Sequence, residues 1–217
     1  SYPRPIGLIQ KIALNRFIMS TKNTILINKN PKPGILRLVL NEPQSKNALS
    51  REMIFAMMDA ISNASSNNKV KVIIIAANGD VFSAGHDLKE ITNARSHKGD
   101  DNSYFMDLFE SCSSLMKLIV ECPKPIIAEV NGVATAAGCQ LVASCDLAIS
   151  SEKSRFATPG VNIGLFCSTP MVALSRNISK KEAMKMLLTG DMINAQEAKR
   201  ISLINDYVPE KDLKKSV

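Results

Sequence analysis

The chain has 217 residues, 45% of them hydrophobic, and a formal net charge of +7, which together indicate one globular domain of ordinary composition. Six basic residues and no acid lie before Pro33, so most of the excess charge is local to the amino-terminal stretch and does not indicate nucleic-acid binding. No apolar run reaches the ~18 residues of a membrane-spanning helix. The five cysteines have no CxxC spacing, which argues against a disulfide scaffold and a zinc site.

Residues 1–22 carry interspersed apolar and basic side chains and no acid. This pattern is typical of a mitochondrial presequence and predicts a location in the mitochondrial matrix. A basic tail without a targeting role is the alternative. The sequence does not begin with Met, so we expect further residues before Ser1 in the natural protein. We therefore assign residues 23–217 to the folded domain.

In the first half of this domain, apolar runs and turn residues predict three strands and two helices. Residues 24–28 and Ile35–Leu40 are predicted to pair across an Asn-Pro-Lys-Pro-Gly turn. Ser50 is predicted to cap a helix with apolar residues on one side. Residues 70–77 form an apolar run of buried-strand length, and residues 104–120 have apolar spacings of three and four that predict a second helix.

In the second half, strands are predicted at Ile126–Val130, at 146–150 and at 204–208. The spacings Ser179 to Glu182 and Asn194 to Glu197 resemble capping boxes, and each predicts the start of an amphipathic helix. Residues 155–170 are predicted to be polar and irregular, with Thr169 as a helix cap and Pro170 at the first helical position. The alternation of strands and helices predicts a layered α/β domain.

Two strand ends lead into turns built from small residues. After Ile126–Val130 the chain turns at Asn131-Gly132 and reaches Thr-Ala-Ala-Gly at 135–138, where a helix is predicted to begin. After residues 70–77 it reaches Ser-Ala-Gly-His-Asp at 83–87, with Asp and Glu in a capping-box-like spacing. The first N–H groups of a helix have no partner inside it, so such turns can offer two N–H donors to one oxygen. Close packing of helix on sheet is the alternative.

The residues FSAGHDLKE and NGVATAAGCQLVASCD resemble the crotonase (enoyl-CoA hydratase/isomerase) superfamily. The resemblance runs from about Thr24 to the last residue. It implies a crotonase-like spiral of ββα turns, assembled as a homotrimer or as a hexamer of two trimers. In that family, carboxy-terminal helices follow the last strand, so we expect a carboxy-terminal helical region to be missing after Val217.

The resemblance also implies a site. A thioester carbonyl of acyl-CoA would lie between two catalytic backbone N–H groups, those of His86 and Ala137. CoA thioester is then the ligand, and neither another cofactor nor a metal is expected. The positions that would contact the substrate are Lys46, Ser83, Ala84, Asp87, Leu88, Lys89 and Gly138.

The chain departs from the family at the two glutamates that the hydratases carry. The matching positions are Gln140 and Gly160, which cannot exchange a proton. Each general acid or base contributes roughly 10²–10⁴ in rate, so we predict weak or absent hydration of enoyl-CoA. The carboxylates of dienoyl-CoA isomerases would fall on Gly160 and Ser168, which makes that activity doubtful as well.

Other polar groups in the matching segments are interpreted as structural. A nucleophilic cysteine needs a base or a lowered pKa, and the sequence offers no partner for one. The His86 imidazole is interpreted as a surface group beside a helix cap, Asp87 as that cap, and His97 as part of a solvated loop. Packing or loop hydrogen bonds are expected for Cys139, Cys167, Ser168, Asn162 and Asp146.

Three functions remain open. The first is an acyl-CoA-binding protein of mitochondrial fatty-acid metabolism without hydratase activity. The second is an active acyl-CoA isomerase, hydratase or lyase that uses other groups. The third is a non-catalytic or regulatory subunit of other crotonase-like chains. No nucleic-acid partner and no membrane span are expected for any of them.

Overall fold

The structure is a computed structural model that describes residues 25–96 and 103–217. The predicted presequence, residues 1–22, and His97 lie outside the described residues. Within the described ranges, no helix is both long enough and apolar enough to cross a bilayer. The same ranges contain no group of three His, Cys, Asp or Glu side chains arranged to hold a metal ion.

The described strands form two sheets. In chain order they are β1 Leu26–Lys29, β2 Ile35–Leu40, β3 Val72–Ala77, β4 Val81–Ser83, β5 Ile126–Val130, β6 Val133–Thr135, β7 Leu147–Ser151, β8 Arg155–Ala157, β9 Ile193–Asn194 and β10 Asp206–Val208. The larger sheet has the order β1-β2-β3-β5-β7-β10, and all of its pairs are parallel except β1 with β2. The smaller sheet has the order β4-β6-β8-β9.

The helices follow the strands in a repeated unit. They are α1 Arg51–Ser66, α2 Leu88–Ser96, α3 Ser103–Val120, α4 Ala137–Ser144, α5 Ser168–Asn177, α6 Lys180–Thr189, α7 Ala195–Arg200 and α8 Leu213–Ser216. A strand of the larger sheet, a short turn, a strand of the smaller sheet and then helical structure recur as β3-β4-α2, β5-β6-α4 and β7-β8-α5. The α/β prediction is confirmed, and the repeat is a ββα spiral.

The hydrophobic core lies between the larger sheet and its helices. On β2 the buried residues Leu36, Leu38 and Leu40 lie on one face, as the period of two in a strand requires, and Val39 is buried on the other face. Helix α1 buries residues spaced by three and four against β1, β2 and α3. Because both sheets are largely parallel, the carboxyl ends of β3, β5 and β7 share one edge, where the chain leaves each strand for the smaller sheet.

The predicted caps at Ser50, Ser179 and Asn194 are confirmed, whereas the reciprocal hydrogen bond of each capping box does not form. Ser50 Oγ accepts from the backbone N–H of Met53 at 3.2 Å, and the caps at Ser179 and Asn194 accept in the same way. The acids of the two boxes do not turn back to their caps. Both instead accept hydrogen bonds from Arg200, which ties the start of α6 to α7.

Three predictions on the segment after β7 are wrong in part. Residues 155–170 are not irregular, since they contain β8, a 3₁₀ helix at Pro159–Ile163 and the start of α5. Helix α5 begins at Ser168, so Cys167 and not Thr169 is its cap residue. The last strand of the larger sheet, β10, is shorter than the predicted 204–208. Before β7, the structure also contains the short strands β4 and β6, where the sequence predicts only turns.

Candidate functional site

The two small-residue turns meet at one edge of the smaller sheet. Gly85 has a φ of +90°, and a Cβ built on it would lie 3.0 Å from the Cβ of Ala136 and 3.0 Å from the backbone nitrogen of Ala137. The turn after β4 therefore touches the turn before α4. A side chain at position 85 would separate them, and the positive φ independently favours glycine there.

Helix α4 begins without a side-chain cap. Its cap residue, Ala136, has φ 50° and ψ −120°, a conformation that L-residues rarely adopt, and Ala137 is the first helical residue. Within the described part of the chain, we find no hydrogen bond donated by the backbone N–H of Ala137 or by that of His86. Both N–H groups are thus unpaired at the junction of the two turns.

Hydrogen bonds from the backbone and from two hydroxyl side chains hold the turn after β4 in place. The N–H of Ala84 donates to the Lys46 carbonyl at 3.1 Å, and the N–H of Leu49 donates to the Gly85 carbonyl at 2.7 Å. Thr135 Oγ1 donates to the Ala84 carbonyl at 3.2 Å, and Ser83 Oγ accepts from Gly85 N–H at 3.3 Å. The loop before α1 and strand β6 therefore fix the position of the residue that follows Gly85.

Gly138 is buried against the other turn. A Cβ added to it would meet the carbonyl oxygen of Ser83 at 2.2 Å, which is closer than real Cβ atoms come to such an atom. Helix α4 can thus approach β4 only because position 138 has no side chain. The predicted substrate-contact residues Ser83 and Gly138 are both buried here, and the structure gives them a packing role.

The His86 imidazole is not the surface group that the sequence suggested. Its ring packs edge-on against Phe109 of α3, with centroids 5.5 Å apart and planes at 86°. Its Nε2 atom is buried and has no hydrogen-bond partner among the described residues. Burial lowers the pKa of His86 from its ordinary value of 6.5, because the charged imidazolium is poorly solvated there.

Four predicted contact residues surround this junction at the protein surface. Asp87 Oδ1 accepts from the backbone N–H groups of Lys89 at 2.7 Å and of Glu90 at 3.3 Å, so Asp87 caps α2 as interpreted. The Lys46 and Lys89 side chains are exposed, and Leu88 is 64% exposed on the first turn of α2. Contact of these residues with CoA remains a prediction.

The positions of the missing glutamates differ in their surroundings. Gln140 lies on α4 and is buried, and its Oε1 atom has no hydrogen-bond partner among the described residues. Gly160 lies in the 3₁₀ helix, where an added Cβ would meet Cys167 Sγ and the Leu165 carbonyl oxygen, each at 2.8 Å. Position 160 therefore has no room for a glutamate unless the following loop moves.

Sequence reasoning missed Thr158. It follows β8 directly, it is completely buried, and its Oγ1 has no hydrogen-bond partner in the part of the chain that the structure describes. The carbonyl of the preceding residue, Ala157, accepts from the N–H of Ala136 at 3.0 Å, which places Thr158 beside the start of α4. A single threonine before a proline carries no signal in the sequence that could have identified it.

The remaining candidates have structural roles. Burial raises the pKa of the Cys139 thiol to about 12, so this thiol is not activated as a nucleophile. Cys167 Sγ accepts from the N–H of Gly160 at 3.3 Å and helps to hold the loop. Asp146 Oδ2 accepts from the N–H of Ile126 at 2.8 Å, which secures the start of β5. Ser168 and Asn162 are exposed.

The described cysteines are all free thiols, which agrees with the expectation of unpaired thiols packed in the fold. Three of them are fully or almost fully buried, and burial raises the pKa of each of these three. Their environments are apolar, so they serve as small core side chains.

Comparison with known proteins gives one consistent result. Residues 30–217 match the family model described as enoyl-CoA hydratase/isomerase. The chain is 50% identical over 203 residues to the mitochondrial enoyl-CoA hydratase domain-containing protein 3 of Xenopus laevis, covering 92% of this chain and 67% of that protein. It is 52% identical to the human protein of the same name, covering 83% of this chain and 58% of that protein.

Solved structures agree with this similarity. The crystal structure of human enoyl Coenzyme A hydratase domain-containing protein 3 matches with a TM-score of 0.83 and 48% identity, over 89% of this chain and 74% of that one. The enoyl-CoA hydratase of Mycobacterium smegmatis matches with a TM-score of 0.83 and 43% identity over the same shares. The predicted crotonase-like fold is confirmed. The chain belongs to the enoyl-CoA hydratase/isomerase family.

Proposed function

We propose that the chain binds acyl-CoA thioesters at the junction of its two small-residue turns and hydrates enoyl-CoA poorly or not at all. The observation that carries this proposal is a pair of backbone N–H groups that donate no hydrogen bond within the described residues. They belong to His86 and Ala137, which lie on two turns in contact with each other. A thioester carbonyl oxygen is an acceptor that such a pair can hold, and it becomes more negative if an enolate forms.

The proposal of weak hydration rests on what surrounds the donor pair. Addition of water needs a group that takes a proton from water and one that returns a proton to carbon. Gln140 titrates at no accessible pH, and Gly160 lies against Cys167 and Leu165. Burial also lowers the pKa of His86, the ionisable side chain at the donor pair, which disfavours the imidazolium form through which this ring would take up or return a proton.

The location of the protein is part of the same proposal. The similar proteins of Xenopus laevis and human are named mitochondrial, and the basic, acid-free residues 1–22 have the composition of a presequence. We propose a matrix protein of fatty-acid metabolism. Assembly as a trimer or as two trimers is proposed from the family alone, and sedimentation of the purified chain measures it.

A titration with butyryl-CoA and a hydration assay with crotonyl-CoA test the proposal together. We expect saturable binding of butyryl-CoA by the folded chain. We also expect crotonyl-CoA to be hydrated far more slowly than the ~10 s⁻¹ that is typical of enzymes. Absence of binding, or turnover at an ordinary enzyme rate, would contradict the proposal.

Ala137→Pro removes one donor without changing any other side chain. Proline fits the first position of a helix, where its missing N–H has no partner inside the helix, but Ala136 before it is not in the extended conformation that a following proline favours, so circular dichroism must first verify that the variant folds. We expect butyryl-CoA to bind about tenfold more weakly, which corresponds to one lost hydrogen bond. Ala195→Pro is the matched control, because Ala195 is likewise a buried first residue, that of α7. It should leave the affinity unchanged.

A further inference from the structure

Asn47 is a completely buried polar residue in the loop before α1. Its side-chain amide uses both of its donor hydrogens and accepts one further hydrogen bond. Oδ1 accepts from the backbone N–H of Glu42 at 2.8 Å, and Nδ2 donates to the carbonyls of Asn78 at 2.9 Å and Val81 at 2.7 Å. One side chain thus joins the start of its own loop to both ends of the turn between β3 and β4.

The backbone around Asn47 also holds the turn after β4, which carries one of the two candidate N–H donors. The carbonyl of Lys46 accepts from the N–H of Ala84 at 3.1 Å. The N–H of Leu49 donates to the carbonyl of Gly85 at 2.7 Å. The loop therefore fixes the start of β4 through the Asn47 side chain and the two residues before the donor through its own main chain.

The loop keeps this shape at a conformational cost. Lys46 and Asn47 have φ values of 57° and 49°, in the left-handed region that residues other than glycine adopt uncommonly. Among the described residues, four that are not glycine have a positive φ, and three of them, these two and Ala136, lie beside the turns that carry the candidate donors. Such strain persists only where the surrounding structure enforces it, and it is concentrated at functional sites. The hydrogen bonds of the Asn47 side chain enforce it in this loop.

The two candidate donors differ in what fixes their direction. Ala137 is the first residue of α4, so its N–H group follows the backbone of that helix. His86 lies between β4 and α2, where no helix sets its backbone, and its turn is held from outside by the loop around Asn47. Hydrogen bonds weaken steeply as their distance and angle depart from the ideal, so a donor that must meet an oxygen without rearrangement needs such support.

We propose that Asn47 is a positioning residue for the His86 N–H donor. Because Asn47 is completely buried, it acts through β4 and the turn that follows, and not by contact with a ligand. The inference rests on the proposed function, because it assumes that a thioester carbonyl lies at the two N–H groups. Loss of the Asn47 amide leaves the Ala137 donor in place and releases the His86 donor, so one N–H group instead of two holds the bound carbonyl.

Isotope-edited infrared spectroscopy of bound butyryl-CoA, labelled at the thioester carbonyl carbon, measures the two donors directly. A hydrogen bond to the carbonyl oxygen weakens the C=O bond and lowers its stretching frequency, whereas loosening of the fold elsewhere does not. We expect the native protein to lower this frequency below its value in water, because preorganised donors face the oxygen. Asn47→Gly should lose about half of that lowering, since one of the two donors is displaced.

The variants separate positioning from general stability. Glycine adopts a positive φ without strain, so Asn47→Gly removes the amide without adding backbone strain, and Asn47→Asp is a second variant that keeps the acceptor and loses both donors. Asn177→Gly is the matched control, because Asn177 Nδ2 also donates to two carbonyls, those of Ala143 at 2.7 Å and Ala173 at 2.8 Å. These bonds join α5 to the last turn of α4 and reach neither donor turn. The frequency should be unchanged in this control, and circular dichroism verifies folding.

The outcomes separate this inference from the function on which it rests. Loss of about half of the frequency change in a folded Asn47 variant, with none in Asn177→Gly, supports the inference. An unchanged frequency in the Asn47 variants, or an equal loss in the control, overturns it while the proposed binding of acyl-CoA stands. If neither Asn47 variant folds, the residue serves folding alone and the inference is overturned. A native protein that does not bind butyryl-CoA, or binds it with no change in frequency, removes the proposed use of the donor pair and the inference together.

Discussion

Gly138 shows how one missing methyl group positions the candidate site. Because a Cβ there would lie 2.2 Å from the Ser83 carbonyl oxygen, Gly138→Ala must move α4 away from β4. We expect a loss of about 2–3 kcal/mol in the free energy of unfolding, as for other overpacked positions. Urea denaturation of the purified variant measures it.

The control for this substitution is Gly164→Ala. Gly164 has a φ of +74° and no atom within 4 Å of its Cβ position. Its substitution therefore adds strain without a collision, and we expect a cost of only about 1 kcal/mol. Equal losses at positions 138 and 164 would show that α4 does not pack on β4 as described.

The partly buried imidazole of His86, whose Nε2 is shielded from solvent, predicts a dependence of stability on pH. Its pKa is lowered in the folded state, so the unfolded chain binds a proton first as the pH falls below about 6.5. Stability is thus full above that pH and declines as the pH falls towards the lower, folded-state value. We expect the urea midpoint of the native protein to fall more steeply from about pH 7.5 to 5.5 than that of His86→Leu.

The difference between the two pH profiles is the informative quantity. Carboxylates that titrate at lower pH are present in both proteins, so their contribution cancels in the comparison. Parallel profiles would mean that the His86 ring is not desolvated by α3 and that its contact with Phe109 is absent in solution.

The strained start of α4 gives a prediction for a whole element. Ala136 has φ 50° and ψ −120°, which glycine adopts more easily than alanine. Ala136→Gly should therefore raise the free energy of unfolding. The gain is at most about 1 kcal/mol, because glycine also increases the conformational freedom of the unfolded chain, which offsets part of the relieved strain. Thermal and urea denaturation both report the change.

The opposite sign is expected within the same helix. Ala143 is a buried residue in the last turn of α4, and Ala143→Gly should lower stability by about 1 kcal/mol or more, since it weakens the helix and removes a packed methyl group. A loss of stability in both variants would show that the backbone at position 136 is not strained.

An ion pair joins distant parts of the larger sheet. Arg37 on β2 donates from Nε to Glu129 Oε2 on β5 at 3.0 Å, and a second bond links Nη2 to Oε1, across the intervening strand β3. The side chains are only 12% and 8% exposed. Arg37→Met leaves a buried carboxylate unpaired, and we expect it to cost about 3–5 kcal/mol in urea denaturation.

The double substitution Arg37→Met with Glu129→Leu is the matched control. It removes both charges together, so no buried charge remains unpaired, and most of the lost stability should return. If the single and double variants were equally unstable, the packing of the side chains and not their charge would account for the effect.

Over the whole molecule, local sequence patterns predict the fold class and the positions of most elements correctly. Residues of β2, β3 and β5 are apolar runs between turn residues, and α1 and α3 have apolar spacings of three and four, so local pattern and burial agree there. The resemblance in the turns at 83–87 and 135–138 identified the family. It also identified the replaced residues Gln140 and Gly160 before any geometry was known.

Which groups meet depends on how distant elements pack in three dimensions. Three features of the site arise from residues that are far apart in the sequence, so no local pattern predicts them. They are the contact between Gly85 and Ala136, the unpaired Thr158 hydroxyl and the lack of space for a side chain at Gly160. The prediction for the His86 side chain is wrong for the same reason, because its ring packs against Phe109 on α3, far along the chain. Local sequence sets the periodicity of each element, whereas the polar environment of a site depends on how several elements pack together.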